Sequence, residues 1–227
     1  MKVQVIVVAA GVGTRLKASK PKALVLLNGK PLVWYSLSVF ERCKDITSVI
    51  VVGHRDYLKD FQKIIQKAGF KKVHAVTPGG ETRADSVACG LRCVEKDTQV
   101  VMVHDAARPF VSSPMISDSL KAMQRHEAAI IAVPVKATIK KADPKNLFVT
   151  ETLMRDTLWE VQTPQTFRRN LLDRAHKDKD KLCCAPTDDA MLVEKMGVKV
   201  KIVMGDYKNI KITTAEDIAL AKLWLTK

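Results

Sequence analysis

Short β-branched segments alternate along this chain with longer segments whose apolar residues recur at helical spacing. VQVIVVA (3–9) and SVIVVG (48–53) are of the first kind, and residues 31–42 between them carry the helical pattern. Continuous apolar strands separated by helices are typical of a parallel sheet that is covered on both faces. The alternation therefore predicts an α/β fold with a Rossmann-like, doubly wound and mostly parallel sheet.

The same pattern extends over the whole chain. We expect strands at 3–9, 48–53, 72–76, 99–104, 128–135 and 199–205. We expect helices at 31–42, 56–68, 82–95, 113–126, 168–176, 187–196 and 214–225. Because no linker or internal repeat interrupts this order, residues 1–227 are predicted to form a single domain.

One segment departs from the alternation. KATIKKADPKNLFVTETLMR (136–155) alternates polar and apolar residues around an Asp-Pro-Lys-Asn turn. This pattern predicts a β-hairpin arm that protrudes from the domain. From the pattern alone, an arm that forms an interface and a hairpin that is merely exposed to solvent are equally good interpretations.

The charge balance of the chain favours anionic partners. The formal net charge is +14, yet the lysines are dispersed, aromatic residues make up only 5%, and no nucleic-acid-binding motif is present. We therefore expect no nucleic-acid partner, and phosphorylated small molecules remain as the candidate anionic partners.

The apolar start at Met1–Ala10 is too short for a membrane span. Five cysteines without C-x-x-C spacing argue against zinc and disulfides, so we expect a cytoplasmic protein without a membrane partner.

A glycine loop rich in cations follows the first strand. VVAAGVGTRLKASKPKAL (7–24) contains Gly11 and Gly13, then Arg15 and Lys22, and no acidic residue. Ligands of open α/β sheets bind beyond the carboxyl ends of the strands, where this loop lies. Leu16 excludes the G-x-G-x-x-G fingerprint, and no G-x-x-x-x-G-K-[ST] sequence is present. The loop therefore indicates a different kind of phosphate site.

Four further segments carry polar residues at expected element boundaries. They are GGETRADSV (79–87), HDAARPF (104–110), LWEVQTPQTF (158–167) and the pair APTDDAMLVE (185–194) with GDYKNIKITT (205–214). Asp105 stands directly after an expected strand, where its carboxylate could hold Mg²⁺ against phosphates or cap a turn.

In this combination and order, from Val7 to the C-terminus, the chain resembles the 2-C-methyl-D-erythritol 4-phosphate cytidylyltransferase family. The resemblance implies that CTP and a polyol phosphate are the substrates. An oxygen of the polyol phosphate attacks the α-phosphorus of CTP and pyrophosphate leaves, with Mg²⁺ as the cofactor. Such chemistry depends on positioning and charge neutralisation more than on a proton-transfer base. The resemblance also implies a homodimer formed through the arm 136–155.

The resemblance assigns roles to individual residues. The nucleotide-binding residues are Ala9, Ala10, Gly11, Gly13, Gly80, Ser86, Asp105 and Ala106. The catalytic residues are Arg15, Lys22, Arg155 and Lys211, of which the last two hold the acceptor phosphate. The remaining substrate-binding residues are Thr138, Thr163, Thr187 and Arg108. Asp105 is also the residue that would hold Mg²⁺.

Three other functions remain open at this point. Ala137 replaces the acidic residue that the family usually has beside Thr138, so a cytidylyltransferase for another polyol phosphate, such as D-ribitol 5-phosphate, is an alternative acceptor assignment. A basic nucleic-acid-binding module is a second alternative, which the dispersed lysines disfavour. A regulatory nucleotide-binding protein without catalysis is a third, which Arg15, Lys22 and Asp105 disfavour.

Overall fold

The computed structural model of the protein describes residues 1–13, 20–179 and 185–225. The strands are β1 (Val3–Ala9), β2 (Leu26–Leu27), β3 (Lys30–Pro31), β4 (Ser48–Gly53), β5 (Val73–Pro78), β6 (Val100–Asp105), β7 (Ala128–Pro134), β8 (Lys140–Ala142), β9 (Val149–Thr152), β10 (Trp159–Arg168) and β11 (Lys201–Met204). The helices are α1 (Leu32–Arg42), α2 (Leu58–Ala68), α3 (Arg83–Leu91), α4 (Ser113–Ala122), α5 (Arg169–Lys177), α6 (Asp189–Glu194) and α7 (Ala215–Leu225).

Seven of these strands form one twisted sheet in the order β11-β7-β10-β6-β1-β4-β5. β1 pairs in parallel with β4 on one side and with β6 on the other, and β4 continues in parallel to β5. The carboxyl ends of β1, β4 and β6 therefore meet at one edge of the sheet, which is where an open α/β sheet binds its ligand. The predicted mostly parallel, doubly wound sheet is confirmed.

The strand at the centre of the sheet, β10, is not predicted by the sequence pattern. β10 runs antiparallel to both β6 and β7, and its register to β7 shifts between Val161 and Gln165. Pro164, which follows a cis peptide bond, lies inside this shift. Because proline removes a ladder hydrogen bond, it is confined to bulges and edges of sheets, and its presence argues against a strand in the sequence.

Helices cover both faces of the sheet. In β1, Val5 and Val7 pack with Phe40 of α1 on one face. On the other face, Ile6 packs with Val87 of α3 and Leu171 of α5. Each such fully buried aliphatic or aromatic side chain contributes about 1.5–3 kcal/mol relative to leaving it exposed. The alternation of faces along β1 is what lets a continuous apolar strand serve two helical layers.

Several predicted helices end earlier than expected. α3 ends at Leu91 instead of residue 95, and α4 ends at Ala122 instead of residue 126. In both cases the chain closes into turns, with Cys93 N bonded to the Gly90 carbonyl and Gln124 N to the Lys121 carbonyl. Boundaries of this kind depend on hydrogen bonds that periodicity does not predict.

The structure has a two-stranded hairpin within residues 136–155, formed by β8 and β9. β8 and β9 pair antiparallel in a sheet of their own, separate from the central sheet. Leu147, Phe148 and Val149 at its tip are 80%, 73% and 58% exposed. We refer to residues 136–155 as the arm.

Among the described helices, none is long and apolar enough to cross a membrane.

Candidate active site

A cleft of about 520 Å³ lies at the carboxyl edge of the sheet, over the ends of β1, β4 and β6. Every residue that the sequence analysis assigned to nucleotide binding lines it: Ala9, Ala10, Gly11, Gly13, Gly80, Ser86, Asp105 and Ala106. Two of the four predicted catalytic cations, Lys22 and Lys211, line it as well. The cleft thus brings together residues that are far apart in the chain.

The glycine loop forms one wall of the cleft. Gly13 has φ +69°, a left-handed conformation that side-chain-bearing residues rarely adopt. A Cβ at Gly13 would also lie 2.9 Å from Cβ of Lys22. The Lys22 amide donates to the Gly11 carbonyl at 3.3 Å. Glycine at position 13 is therefore required for Lys22 to lie beside the loop.

The opposite wall is the segment that leads into α3. A Cβ at Gly79 would lie 2.4 Å from Cβ of Ala10, and one at Gly80 would lie 2.4 Å from Cβ of Asp85. Both contacts are shorter than real Cβ atoms allow, so a larger residue at Gly79 would push the two walls apart, and one at Gly80 would displace Asp85 in the first turn of α3. Ser86 is buried and its hydroxyl donates to the Thr82 carbonyl at 3.0 Å.

Asp85 stabilises this second wall. Its carboxylate accepts from the amide and the hydroxyl of Thr82, while the Thr82 hydroxyl accepts from the Asp85 amide, which together make a capping box at the start of α3. Lys179 forms an ion pair with the same carboxylate. The hydrogen bond from Lys179, followed by that from Thr82, lowers the pKa of Asp85 to about 2.

Asp105 is the carboxylate at the floor of the cleft. Its Oδ2 accepts from Nζ of Lys211 at 2.6 Å, and its Oδ1 accepts from Nε of Arg83 at 3.2 Å. Burial opposes ionisation of Asp105, but the charges of Arg83 and Lys211 outweigh it and hold the pKa of Asp105 far below its usual range. The group is an anion at any physiological pH.

Two predicted substrate-binding residues are part of the protein interior. Arg108 is only 7% exposed, and its guanidinium donates to the carbonyls of Asn209 at 2.6 Å and Val161 at 3.0 Å. Thr163 is 5% exposed, and its hydroxyl accepts from the Asp105 amide at 3.1 Å. Neither residue lines the cleft, so in this structure both support the Asp105 segment from behind instead of forming a wall.

The remaining predicted residues lie away from the cleft. Thr138 and Arg155 are exposed on the arm, and Nη1 of Arg155 donates to the Lys136 carbonyl at 3.3 Å. Thr187 is exposed just before α6. Arg15 lies outside the described residues.

The structure adds cleft residues that the sequence analysis did not single out: His54, Arg55, Glu81, Thr82 and Arg83. His54 and Arg55 follow β4, whose carboxyl end no quoted motif covered. Arg83 stands inside GGETRADSV, and as the first residue of α3 at the same strand edge it could have been recognised as a phosphate-facing cation.

The chain is similar to known proteins over nearly its whole length. The family model for 2-C-methyl-D-erythritol 4-phosphate cytidylyltransferase (IspD) matches residues 3–227. The 2-C-methyl-D-erythritol 4-phosphate cytidylyltransferase of Alkaliphilus metalliredigens is 45% identical over 97% of this chain and 92% of its own length. That of Caldanaerobacter subterraneus subsp. tengcongensis is 42% identical over the full length of both chains.

Solved structures give the same result. The 4-diphosphocytidyl-2C-methyl-D-erythritol synthase of Anaerococcus prevotii superimposes with a TM-score of 0.87 at 30% identity, covering 100% of this chain and 99% of that one. The Francisella tularensis 2-C-methyl-D-erythritol 4-phosphate cytidylyltransferase gives a TM-score of 0.82 at 32% identity over 98% and 99% of the two chains. The chain therefore belongs to the 2-C-methyl-D-erythritol 4-phosphate cytidylyltransferase family, and it is a CTP-dependent nucleotidyltransferase.

Proposed function

We propose that the protein transfers a cytidylyl group from CTP to 2-C-methyl-D-erythritol 4-phosphate. An oxygen of the acceptor phosphate bonds to the α-phosphorus of CTP, the bond from that phosphorus to the bridging oxygen breaks, and pyrophosphate leaves. The product is 4-diphosphocytidyl-2-C-methyl-D-erythritol. The observation that carries the proposal is the cleft, where the eight expected nucleotide residues, Asp105 among them, lie together with Lys22 and Lys211.

The base and ribose would lie between the two glycine-containing walls. Ala9, Ala10 and Gly11 on one side and Gly79 and Gly80 on the other leave the backbone accessible to a ligand. Backbone amides and carbonyls can read the hydrogen-bonding edge of a pyrimidine without any charged side chain.

The triphosphate would lie toward the cations. Lys22, Lys211 and Arg83 all line the cleft, and Arg15 is expected to join them by resemblance. A pentavalent phosphorus carries negative charge on its equatorial oxygens, and fixed cations in a partly enclosed site stabilise it strongly. No side chain has to remove a proton, since the attacking group is already an anion.

A divalent cation, Mg²⁺ by resemblance, fits Asp105. No group of three or more His, Cys, Asp or Glu side chains that could hold a metal is found in residues 1–13, 20–179 and 185–225. Mg²⁺ commonly binds through one carboxylate together with substrate phosphates, and Asp105 supplies that carboxylate in its ionised form. A bound Mg²⁺ would withdraw charge from the phosphates. If Asp105 holds it, Asp105→Asn should raise the Mg²⁺ concentration for half-maximal activity, and an unchanged curve would remove Asp105 from this role.

The acceptor would bind where the arm of one subunit meets the cleft of another. Thr138 and Arg155 lie on the arm, outside the cleft of their own chain, and the tip exposes Leu147 and Phe148. An isolated two-stranded hairpin is marginally stable in water unless something packs against it. We propose an isologous homodimer in which the arms provide this packing.

The family assignment does not favour D-ribitol 5-phosphate as the acceptor. The deciding experiment is CTP-dependent pyrophosphate release with 2-C-methyl-D-erythritol 4-phosphate and D-ribitol 5-phosphate in parallel. We expect turnover with the first and at least about a hundredfold lower kcat/KM with the second, because an acceptor site with placed polar groups rejects a mismatched polyol on this scale. Equal turnover or a preference for ribitol phosphate would overturn the acceptor assignment.

We further propose a cytoplasmic protein that acts on small molecules, without a nucleic-acid or membrane partner. The dispersed lysines and the five cysteines without C-x-x-C spacing support this.

A further inference from the structure

A continuous chain of charged side chains leads from the floor of the cleft into the protein interior. Lys211 contacts Asp105, and Asp105 contacts Arg83, as described above. Nη1 of Arg83 donates to Oδ2 of Asp189 at 2.7 Å, and Nε2 of His176 lies 2.9 Å from Oδ1 of Asp189. This series of contacts therefore connects the cleft to a carboxylate that does not line it.

Asp189 is a carboxylate in the protein interior that does not line the cleft. Its residue exposure is 0%. Burial opposes its ionisation, but the charge of Arg83 and then the hydrogen bond from His176 lower the pKa of Asp189 below its usual range. A buried ion pair is often no more stabilising than apolar residues of the same volume. Its presence in the core therefore calls for a role other than stability.

Arg83 is the link between the two carboxylates. Its guanidinium bonds to Asp105 through Nε and to Asp189 through Nη1, and two bonds in different directions fix the plane of the group. The residue is the first of α3, and its side chain is 25% exposed where it lines the cleft. Without Asp189, the guanidinium would be held at one end only.

Asp189 is also the first residue of α6. Its amide and that of Ala190 both donate to Oε1 of Gln165 in β10, each at 3.2 Å. The backbone of Asp189 is thus fixed to the central sheet independently of its carboxylate. This makes the carboxylate a rigid support against which Arg83 can be oriented.

We propose that Asp189 is a positioning residue that orients Arg83, and through Arg83 the carboxylate of Asp105, for the phosphate end of the cleft. This inference rests on the proposed function, because its effect is expressed in cytidylyl transfer. The competing interpretation is that Asp189 only stabilises the start of α6.

The primary experiment compares Asp189→Asn with Asp188→Asn in steady-state kinetics with CTP and the acceptor. Asp189→Asn removes the negative charge that pairs with Arg83 and leaves one acceptor oxygen in place of two. We expect kcat to fall about tenfold or more, since small misplacements of a positioning group reduce rates on this scale.

Asp188 is the matched control: it caps α6 through Met191 N at 2.9 Å and bonds Gln165, but its carboxylate does not pair with Arg83. Asn caps helices as well as Asp does, and the bond from Gln165 that Asp188→Asn gives up does not involve Arg83, so Asp188→Asn should leave kcat close to that of the parent.

A double-mutant cycle separates the two interpretations. Arg83→Lys keeps a positive charge but removes the planar fork that bridges two carboxylates. If Asp189 acts through Arg83, Asp189→Asn should change kcat by less than about twofold in the Arg83→Lys background. If the two effects on kcat multiply, Asp189 acts independently of Arg83 and the proposal is overturned. All rates are taken at a temperature at which circular dichroism shows each variant to be folded.

Two further measurements keep the test decisive. The cycle is repeated with CTP affinity by calorimetry, so that an absence of cytidylyl transfer in the parent would refute the proposed function while the coupling between Arg83 and Asp189 is still measured. Should Arg83→Lys not fold, His176→Ala and His176→Gln replace it. Loss of kcat in His176→Ala with recovery in His176→Gln, whose amide can still donate to Asp189, supports the proposal. Parental kcat in both His176→Ala and Asp189→Asn, with a lower melting temperature in each, overturns it.

Discussion

The hydroxyl of Thr163 lies 3.0 Å from Nδ1 of His104, and both side chains are buried. The Asp105 amide donates to the Thr163 oxygen, so the hydroxyl proton is directed at His104. Nε2 of His104 lies 3.1 Å from the Arg108 carbonyl, to which only a protonated Nε2 can donate. A neutral His104 protonated on Nε2 therefore gives a hydrogen-bond partner to the Thr163 hydroxyl and to the Arg108 carbonyl. These bonds fix both ends of the segment from Asp105 to Arg108.

The first prediction concerns the pH dependence of stability. Burial lowers the pKa of His104 from 6.5 to about 4, and the charge of Asp105, which opposes this shift, does not overcome it. Between pH 6.5 and about 4, the unfolded chain binds a proton at this position that the folded chain does not. The free energy of unfolding should therefore fall with falling pH in this window, by at most about 1.4 kcal/mol per pH unit from this group.

Urea unfolding at several pH values across this window measures the slope. His104→Gln should flatten it, whereas His126→Gln, at an exposed position, should leave it as in the parent. An identical slope in His104→Gln and the parent would show that His104 is not the group responsible.

The second prediction concerns the choice of nucleotide. The cleft walls at Ala10, Gly79 and Gly80 present backbone groups to the base. Ala10 leaves no room for a larger residue at Gly79, and Asp85 leaves none at Gly80. Uracil places an acceptor where cytosine has its N4 donor, which would leave a buried acceptor of the protein unpaired. Sites of this kind reject the mismatched ligand by roughly 10²-fold or more. We expect kcat/KM for CTP to exceed that for UTP by at least this factor, and comparable values would contradict the assignment of the base pocket.

The third prediction compares two neighbouring lysines. Lys22 lines the cleft, whereas Lys20 is exposed and does not line it. Lys22→Ala should lower kcat by roughly 10²-fold, the scale of one lost charge-stabilising donor, with little change in melting temperature. Lys20→Ala should behave like the parent. If both variants keep parental kcat, the loop is a scaffold and not part of the catalytic site. The same loss is expected for Arg15→Ala on the resemblance alone.

The apolar strands of the fold could be predicted from the sequence, but the strand at the centre of the sheet could not. The apolar strands β1, β4 and β6 were predictable because both of their faces are buried. β10 was not, because its interior residues Gln162, Gln165 and Thr166 are polar. In the fold these side chains find distant partners: Gln165 bonds Asp188 at 2.6 Å, and Thr166 bonds Ser119 at 2.6 Å. A buried polar strand is therefore recognisable only once its tertiary partners are known.

Some residues of the site could likewise be predicted from the sequence, and others could not. Residues at the ends of apolar strands, such as Asp105, are predictable because position alone places them at the ligand edge. The pairing of Arg83 with Asp189 joins residues 106 positions apart, and no local pattern encodes it. By contrast, the tight connection of β2 to β3 carried a usable signal, since Asn28 and Gly29 both adopt positive φ as Asn-Gly turns do.

The last prediction tests whether each active site is built from two chains. If the arm of one subunit delivers Arg155 to the cleft of its partner, each site uses Lys22 from one chain and Arg155 from the other. Lys22→Ala and Arg155→Ala should then both be inactive as homodimers. Mixed under conditions of subunit exchange, they form dimers in which one site carries both defects and the other carries neither. Random exchange of equal amounts gives about half mixed dimers, so activity should recover to roughly a quarter of the parental sites.

Exchange is verified by pull-down of an untagged variant with a tagged one, and two differently tagged Lys22→Ala preparations serve as the control that must stay inactive. Verified exchange without recovery would place Arg155 in the site of its own subunit, or outside the chemistry.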